Sequence, residues 1–295
     1  MSTFPRYHLV EINDQPWLPD WIRERVQECL TLLWTLNLAP LQEHSPASLV
    51  AGTLAQVLGV RCRDYTFVDF CAGAGGPTPF IEKEFKRGAK GLAAKFVLTD
   101  IEPHLSAWRG HSSSSPHILY IATPVDATEP PSSTTLANMA CHSSGKVDHD
   151  SLQRQKTFRL FFLALHHLDQ AIAQKVLRNA LSSPDCAGIG IFELQGRTLG
   201  EISMVCMLGP VLWVVAPWYF WRDPLMLFLV YILPVVPFIV VVDGIVSCLR
   251  TRTAEEILGL IEESGASCEG WEFKHGSRTH NKLVGEMHWF IALRS

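Results

Sequence analysis

The residues able to do chemistry follow apolar runs. Asp69 precedes Ala72, Gly73, Ala74, Gly75 and Gly76, small residues that let a backbone approach a ligand closely. As a dinucleotide fingerprint the stretch fails. Gly73 and Gly75 would need a third glycine where Thr78 stands, and Pro79 removes a helix-start N–H that a phosphate would use. A ligand presenting an amino-acid end and a nucleoside suits this loop better than a pyrophosphate. Asp100 and Asp126 follow the next two apolar runs, His166 and His167 a fourth, and Glu193 and Gln195 a fifth. An imidazole with a pKa near ~6.5 can take a proton from a hydroxyl nucleophile. His275, Arg278 and His280, further on, could bind or deprotonate a substrate.

Those residues need a scaffold, and the alternation of elements supplies one. Buried strands are expected at Tyr65–Phe70, Lys95–Thr99, 117–121, 158–163 and 188–192, with helices from about 77 and over 168–181. Repeated strand–helix units imply a mostly parallel sheet covered on both faces. Residues 128–156, rich in Ser, Thr, Pro and His, read as a surface loop. Upstream, helical spacing covers 17–36, and Ser45-Pro46 opens a second helix running to 58. Downstream, Thr253 and Glu256 form a capping-box start to a helix ending near 264. Strands at 269–273 and 287–293 would follow, joined by a loop over 274–286.

Taken together, Asp69, the glycine loop, Asp100, Val125-Asp126-Ala127 and Leu165-His166-His167 resemble the motifs of class I S-adenosylmethionine (SAM) dependent methyltransferases. Cys71 departs from that pattern, standing where the family often has its first glycine. The resemblance implies an α/β, Rossmann-like three-layer sandwich with a seven-stranded sheet whose last strand is antiparallel. It also implies SAM as cofactor, held by Asp69, Ala72, Gly73, Ala74, Gly75, Asp100, Ile101, Asp126, Ala127 and Ala164. Asp100 would take the ribose hydroxyls and Asp126 the adenine amino group. His166 and His167, then His280, would be the candidate catalytic bases. The chain as a whole is similar to fungal methyltransferase-like proteins carrying an apolar insertion, a likeness that supplies no substrate. A DNA cytosine methyltransferase is excluded, since no Pro-Cys nucleophile loop follows the fourth strand.

Residues 202–220 carry no charge, Trp221-Arg222-Asp223-Pro224 interrupts, and 225–242 is apolar again. Each leg approaches the ~30 Å hydrocarbon thickness of a bilayer at ~1.5 Å per residue. Arg197 before the segment and Arg250 and Arg252 after it place both ends in the cytosol by the positive-inside rule. The expectation is a membrane-inserted hairpin rooted beside the active site, hence a lipophilic small-molecule substrate and contact with membrane lipid, at a cytosol-facing membrane such as the endoplasmic reticulum. O-methylation of a secondary metabolite or lipid is the expected reaction. The alternative is a SAM-fold protein without methyl transfer, either a non-methylating enzyme or a membrane-anchored interaction protein. The chain divides on this reading into an N-terminal helical lid (1–60), a SAM-binding α/β core (61–200), the apolar insertion (201–249) and a completion of the core (250–295).

Across 295 residues, 25 basic against 29 acidic side chains give a net charge of −4, which disfavours nucleic-acid backbone binding. Eight scattered cysteines without a CxxC pair read as reduced thiols, and no metal-ligand set is legible.

Overall fold

Tyr65–Phe70 (β1) is buried at all six positions. That is why its sequence does not alternate, as expected of a strand covered on both faces. The same holds for Cys186–Glu193 (β5), and for Lys156–Phe162 (β4) beyond its first residue. Lys95–Thr99 (β2), Ile118–Tyr120 (β3), Trp271–Asn281 (β6) and Gly285–Arg294 (β7) complete a seven-stranded sheet in the order β3-β2-β1-β4-β5-β7-β6. The first five strands pair parallel, and β7 runs antiparallel to both β5 and β6. The computed structural model describes residues 2–37, 40, 42–87, 94–146, 155–282 and 285–295.

The strand order reverses at β1, which has β2 on one side and β4 on the other. In an open α/β sheet this switch point opens a crevice at the carboxyl ends of the strands. One face is covered by Ser133–Ser144 (α5), Gln170–Ser182 (α6) and Ala254–Glu263 (α10), packed on Val68, Phe70, Phe161 and Ile189. The other face carries Pro46–Leu58 (α2) and Thr78–Arg87 (α3) over Phe67, Phe96, Phe158 and Leu160. Trp108 of Leu105–Ser114 (α4) fills the space beside Leu98, Ile118 and Tyr120.

Three expectations change. The Ser/Thr-rich stretch is not all loop, because α5 crosses it. Ser132 caps that helix by accepting from the Thr135 N–H, Gly145 ends it at a left-handed φ of 65°, and Leu136, Ala137, Ala140 and Cys141 bury one face. The loop expected over 274–286 is instead mostly strand. β6 runs to Asn281, so His275, Arg278 and His280 are strand residues; His275 and Arg278 pair across with Phe290 and Met287 of β7, and His280 sits at a register irregularity between Thr279 and Asn281. The second apolar leg is broken: Pro224–Tyr231 (α8) and Val235–Arg250 (α9) meet at a 67° bend by Pro234.

Leu199–Tyr219 (α7) forms the first leg and packs against α9. They approach closely at Gly244, where an added Cβ would lie 2.6 Å from Val205. Asp20–Thr35 (α1) lies on this pair, so Val26, Cys29 and Leu32 share one apolar cluster with Leu212, Met226 and Val240. The flanking Arg197, Arg250 and Arg252 are buried. Arg250 and Arg252 donate to the carbonyls of residues 165–168, and Arg197 to Glu256. Their guanidinium groups are thus engaged within the protein.

Candidate active site

The loop from β1 to α3 leaves the sheet with Cys71 (φ 60°), Gly73 (φ 51°), Gly75 (φ 112°) and Gly76 (φ 45°) in left-handed backbone. It is buttressed from α4: the Trp108 indole N–H donates to the Gly73 carbonyl at 2.8 Å, and the His111 ring lies 3.1 Å from the Ala74 carbonyl. A Cβ added at Gly73 would meet nothing within 4 Å, so the loop faces open space. Asp69, at the end of β1, is 1% exposed. Its Oδ2 accepts from Thr78 at 2.5 Å while Oδ1 is buried without a partner. Burial raises its pKa well above the carboxylate range, with the Asp100 charge adding to the effect.

Asp100 ends β2. Its Oδ2 accepts the Gly73 N–H at 2.8 Å and its Oδ1 the Glu102 N–H at 3.0 Å, so its carboxylate is aimed at the glycine loop. Ile101 beside it is 61% exposed. Asp126 follows β3, where the Val125 N–H donates to the Asp100 carbonyl at 2.9 Å and ties the two acid-bearing loops together. Both hydrogen bonds to its carboxylate, from Thr128, fall on Oδ1. Ala72 and Ala164 are buried at the ends of β1 and β4, and Ala127 is partly buried. The structure thus brings the sequence-expected cofactor residues to one edge of the sheet, around the switch point.

A class I methyltransferase fold is what this strand order and acid placement describe. No family model matches the chain, and no curated protein matches it. Solved structures do. The DszA carbon methyltransferase aligns at 13% identity over 84% of this chain and 53% of its own, with a TM-score of 0.45, so the chain spans about half the length of that protein. The plantazolicin methyltransferase BpumL, in complex with a pentazolic desmethyl analogue and SAH, aligns at 12% over 94% of this chain and 100% of its own (TM-score 0.41). A protein from Rhodobacter sphaeroides, described as a putative zinc-dependent alcohol dehydrogenase, aligns at 13% over 94% and 100% (TM-score 0.46). The fold assignment rests on strand order and the antiparallel β7, not on these superpositions.

At the end of β4 the chain turns through Leu163, which holds a left-handed φ of 49°. A non-glycine residue there costs ~1–3 kcal/mol and persists only where packing enforces it. The next turn presents His166, buried, and His167, half-buried, with ring centroids 4.3 Å apart. His166 Nδ1 lies 2.8 Å from Glu193 Oε2, and His167 Nδ1 lies 3.1 Å from Asp14 Oδ2. Both Nε2 atoms face the buried Glu11, each at 3.7 Å from one of its oxygens. Arg250 approaches Glu11 and Asp14, each at 3.3 Å, and Ser247 donates to Glu11 Oε1 at 2.9 Å. Burial raises the Glu11 pKa, opposed by His167 and Arg250.

A cavity of about 220 Å³ lies over these groups. Its floor is Glu11, Leu163, His166, His167, Gln195 and His280, and its walls are Leu30 and Leu33 of α1, Met204 to Val211 of α7, and Val240 to Ser247 of α9. His280 reaches it from β6. Burial lowers its pKa to about 4, so it is neutral at ordinary pH, and its Nε2 has no hydrogen-bond partner. Of the three candidate bases, His280 presents a buried Nε2 without a hydrogen-bond partner, while both others have Nδ1 held by carboxylates and Nε2 turned to Glu11.

Glu193 and Gln195 are legible in the sequence as rim residues, Glu11 and Asp14 are not, and Arg250, expected only as a flank of the apolar segment, faces both of them. Glu11 lies in an irregular N-terminal segment that reaches the site because the Ile12 and Asn13 N–H groups donate to the Asp243 carboxylate of α9 at 2.7 and 2.8 Å. No periodicity marks such a strap.

Proposed function

We propose that the chain transfers a methyl group from SAM to a hydroxyl of a lipophilic small molecule held in the cavity beside β4 and β5. The observation that carries the reading is that cavity: apolar walls from the insertion and α1, with a polar floor at the carboxyl edge of the sheet that also bears the glycine loop. The residues fit the cofactor. Asp69 Oδ1 is a buried oxygen without a partner, suited to an ammonium group. Gly73 leaves open space where a side chain would intrude, and exposed Ile101 beside Asp100 offers an apolar surface to a nucleobase.

SAM supplies a methyl already activated by its sulfonium. The work left to the chain is to hold the acceptor in line and keep water out. The apolar walls do the second. For the first, His280 Nε2 is placed to accept the acceptor's O–H, and its neutrality leaves the lone pair available for that proton.

The insertion supports a membrane-borne acceptor. Trp213, Trp218, Tyr219, Trp221, Phe228 and Tyr231 are all exposed along it. A small apolar void of about 10 Å³ beside the cavity shares Leu33, Leu36, Leu208, Val211 and Val240 with its lining. α7 is long and apolar enough to cross a bilayer, and α8 with α9 qualifies only as a bent pair. The Arg25–Asp223 ion pair at 3.1 Å ties α1, with Asp20, Glu24 and Glu28, to the tip. Charged α1 alongside favours shallow embedding of the aromatic face over two full spans. The test is incubation of the full chain with methyl-labelled SAM and a detergent-dispersed lipid extract. Label moving into the organic phase, and lost in His280→Ala, supports the reading; SAM bound but no label transferred under any extract argues for the non-methylating alternative.

A further inference from the structure

The geometry points to a divalent transition-metal site formed by Glu11, His166 and His167, open on the cavity side, that takes Zn²⁺ or a cation of similar preference. The metal-facing atoms are defined by what the other atoms do. Each imidazole has its Nδ1 held by a carboxylate, Glu193 for His166 and Asp14 for His167. That is the outer-shell arrangement that orients metal-binding imidazoles and turns Nε2 towards the ion. Both Nε2 atoms converge on the Glu11 carboxylate, one per oxygen, at 3.7 Å. This is too long for a hydrogen bond. It suits a cation between them at roughly 2.0–2.2 Å from each donor, which sets donor atoms about 3–4 Å apart. One donor atom from each of the three residues falls within 4.8 Å of the others.

Charge favours the same reading. Glu11, Asp14 and Glu193 surround the two imidazoles, and the Asp243 carboxylate holds the Ile12 and Asn13 N–H groups beside Glu11. Arg250 and Arg252 are the guanidiniums set against them. A dication offsets the remaining negative charge. Two nitrogens and one carboxylate match zinc, cobalt, iron or manganese better than calcium or magnesium. Three protein ligands with a fourth direction facing a cavity is the pattern of a site that receives a substrate atom, not of a closed structural site. All three residues line the cavity. Resting on the proposed acceptor pocket, the site would bind the oxygen of the hydroxyl that enters it and polarise its O–H.

The experiment uses the full chain, stripped with chelator, kept free of SAM and titrated with Zn²⁺ by calorimetry, with a Co²⁺ absorption spectrum recorded in parallel. The expected result is one equivalent bound, weakened by about tenfold or more in both Glu11→Gln and His167→Ala, and a cobalt spectrum without a thiolate charge-transfer band. No zinc binding, binding unchanged in both variants, or a cobalt spectrum with thiolate character overturns the site. The spectrum of the wild type decides even if a variant misfolds. A separate SAM titration in chelator tests the methyl-transfer reading. Zinc binding without SAM binding leaves the metal site standing and removes the proposed function; SAM binding without zinc binding does the reverse.

Discussion

Gly73 and His280 carry the sharpest expectations at the scale of single residues. In Gly73→Ala the new Cβ meets no protein atom within 4 Å but projects from a φ of 51° into the space before the loop. The variant should fold with a loss of about 1–2 kcal/mol from backbone strain and lose SAM affinity disproportionately. Thermal melts with and without SAM separate the two effects: equal stabilisation by SAM in both proteins would remove the loop from the cofactor site. His280→Ala should lower turnover by ~10²–10⁴-fold, the usual range for a general base, while SAM affinity stays close to wild type. The same residue leaves a signature in stability. Its folded-state pKa of about 4 lies below the ordinary 6.5, so between these values the unfolded chain binds a proton that the folded chain refuses. Stability is therefore complete above 6.5 and falls as pH drops towards 4, by up to about 3 kcal/mol from this group. Denaturant midpoints of His280→Ala should fall less over that interval than those of wild type, and parallel curves would contradict the assignment.

Among the elements, the N-terminal strap matters most to the acceptor end. Residues 2–19 contain no helix or strand longer than an isolated turn, yet they are fixed to α9. Asp243 accepts the Ile12 and Asn13 N–H groups, Tyr7 N–H donates to the Leu249 carbonyl, and the Arg6 Nε to the Arg250 carbonyl. Asp243→Ala removes two charge-assisted bonds and should cost about 2 kcal/mol. It should also expose the segment around Glu11 to limited proteolysis at protein concentrations where wild type is resistant; an unchanged cleavage pattern would show that the strap is held elsewhere. What was legible in sequence follows element type. β1, β4 and β5 declare themselves as apolar runs because both faces are covered, and their terminal acids and histidines can be placed by counting. β6 does not, since its sequence, Trp271 to Asn281, mixes apolar with His, Arg and Lys on an edge strand. α5 hides behind Ser and Thr with only four buried residues. Glu11 was unreadable because an irregular segment takes its position from distant partners.

On the scale of the whole molecule, the insertion joins two surfaces that a soluble sandwich would keep apart: the carboxyl edge of the sheet and an exposed apolar tip. Trp218 is 72% exposed and Ile232 73%, and patches of this kind mark interaction sites. The full chain should co-sediment with phosphatidylcholine vesicles, and a double Trp218→Lys, Ile232→Lys variant should remain in the supernatant while keeping wild-type SAM affinity. Retention of vesicle binding in the double variant would move the contact away from this tip. On the proposed function, the sheet edge would hold the cofactor, α1 with the insertion would shape the acceptor cavity, and the tip would meet the bilayer. All of it depends on the edge of β1 and β2 binding SAM. The most direct measurement is calorimetric titration of SAM into the wild-type chain and into Asp100→Ala. Saturable one-to-one binding, weakened about ten- to hundredfold by loss of the charge-assisted ribose contact, is the predicted result; no binding by the wild type, or equal affinity in both proteins, contradicts it.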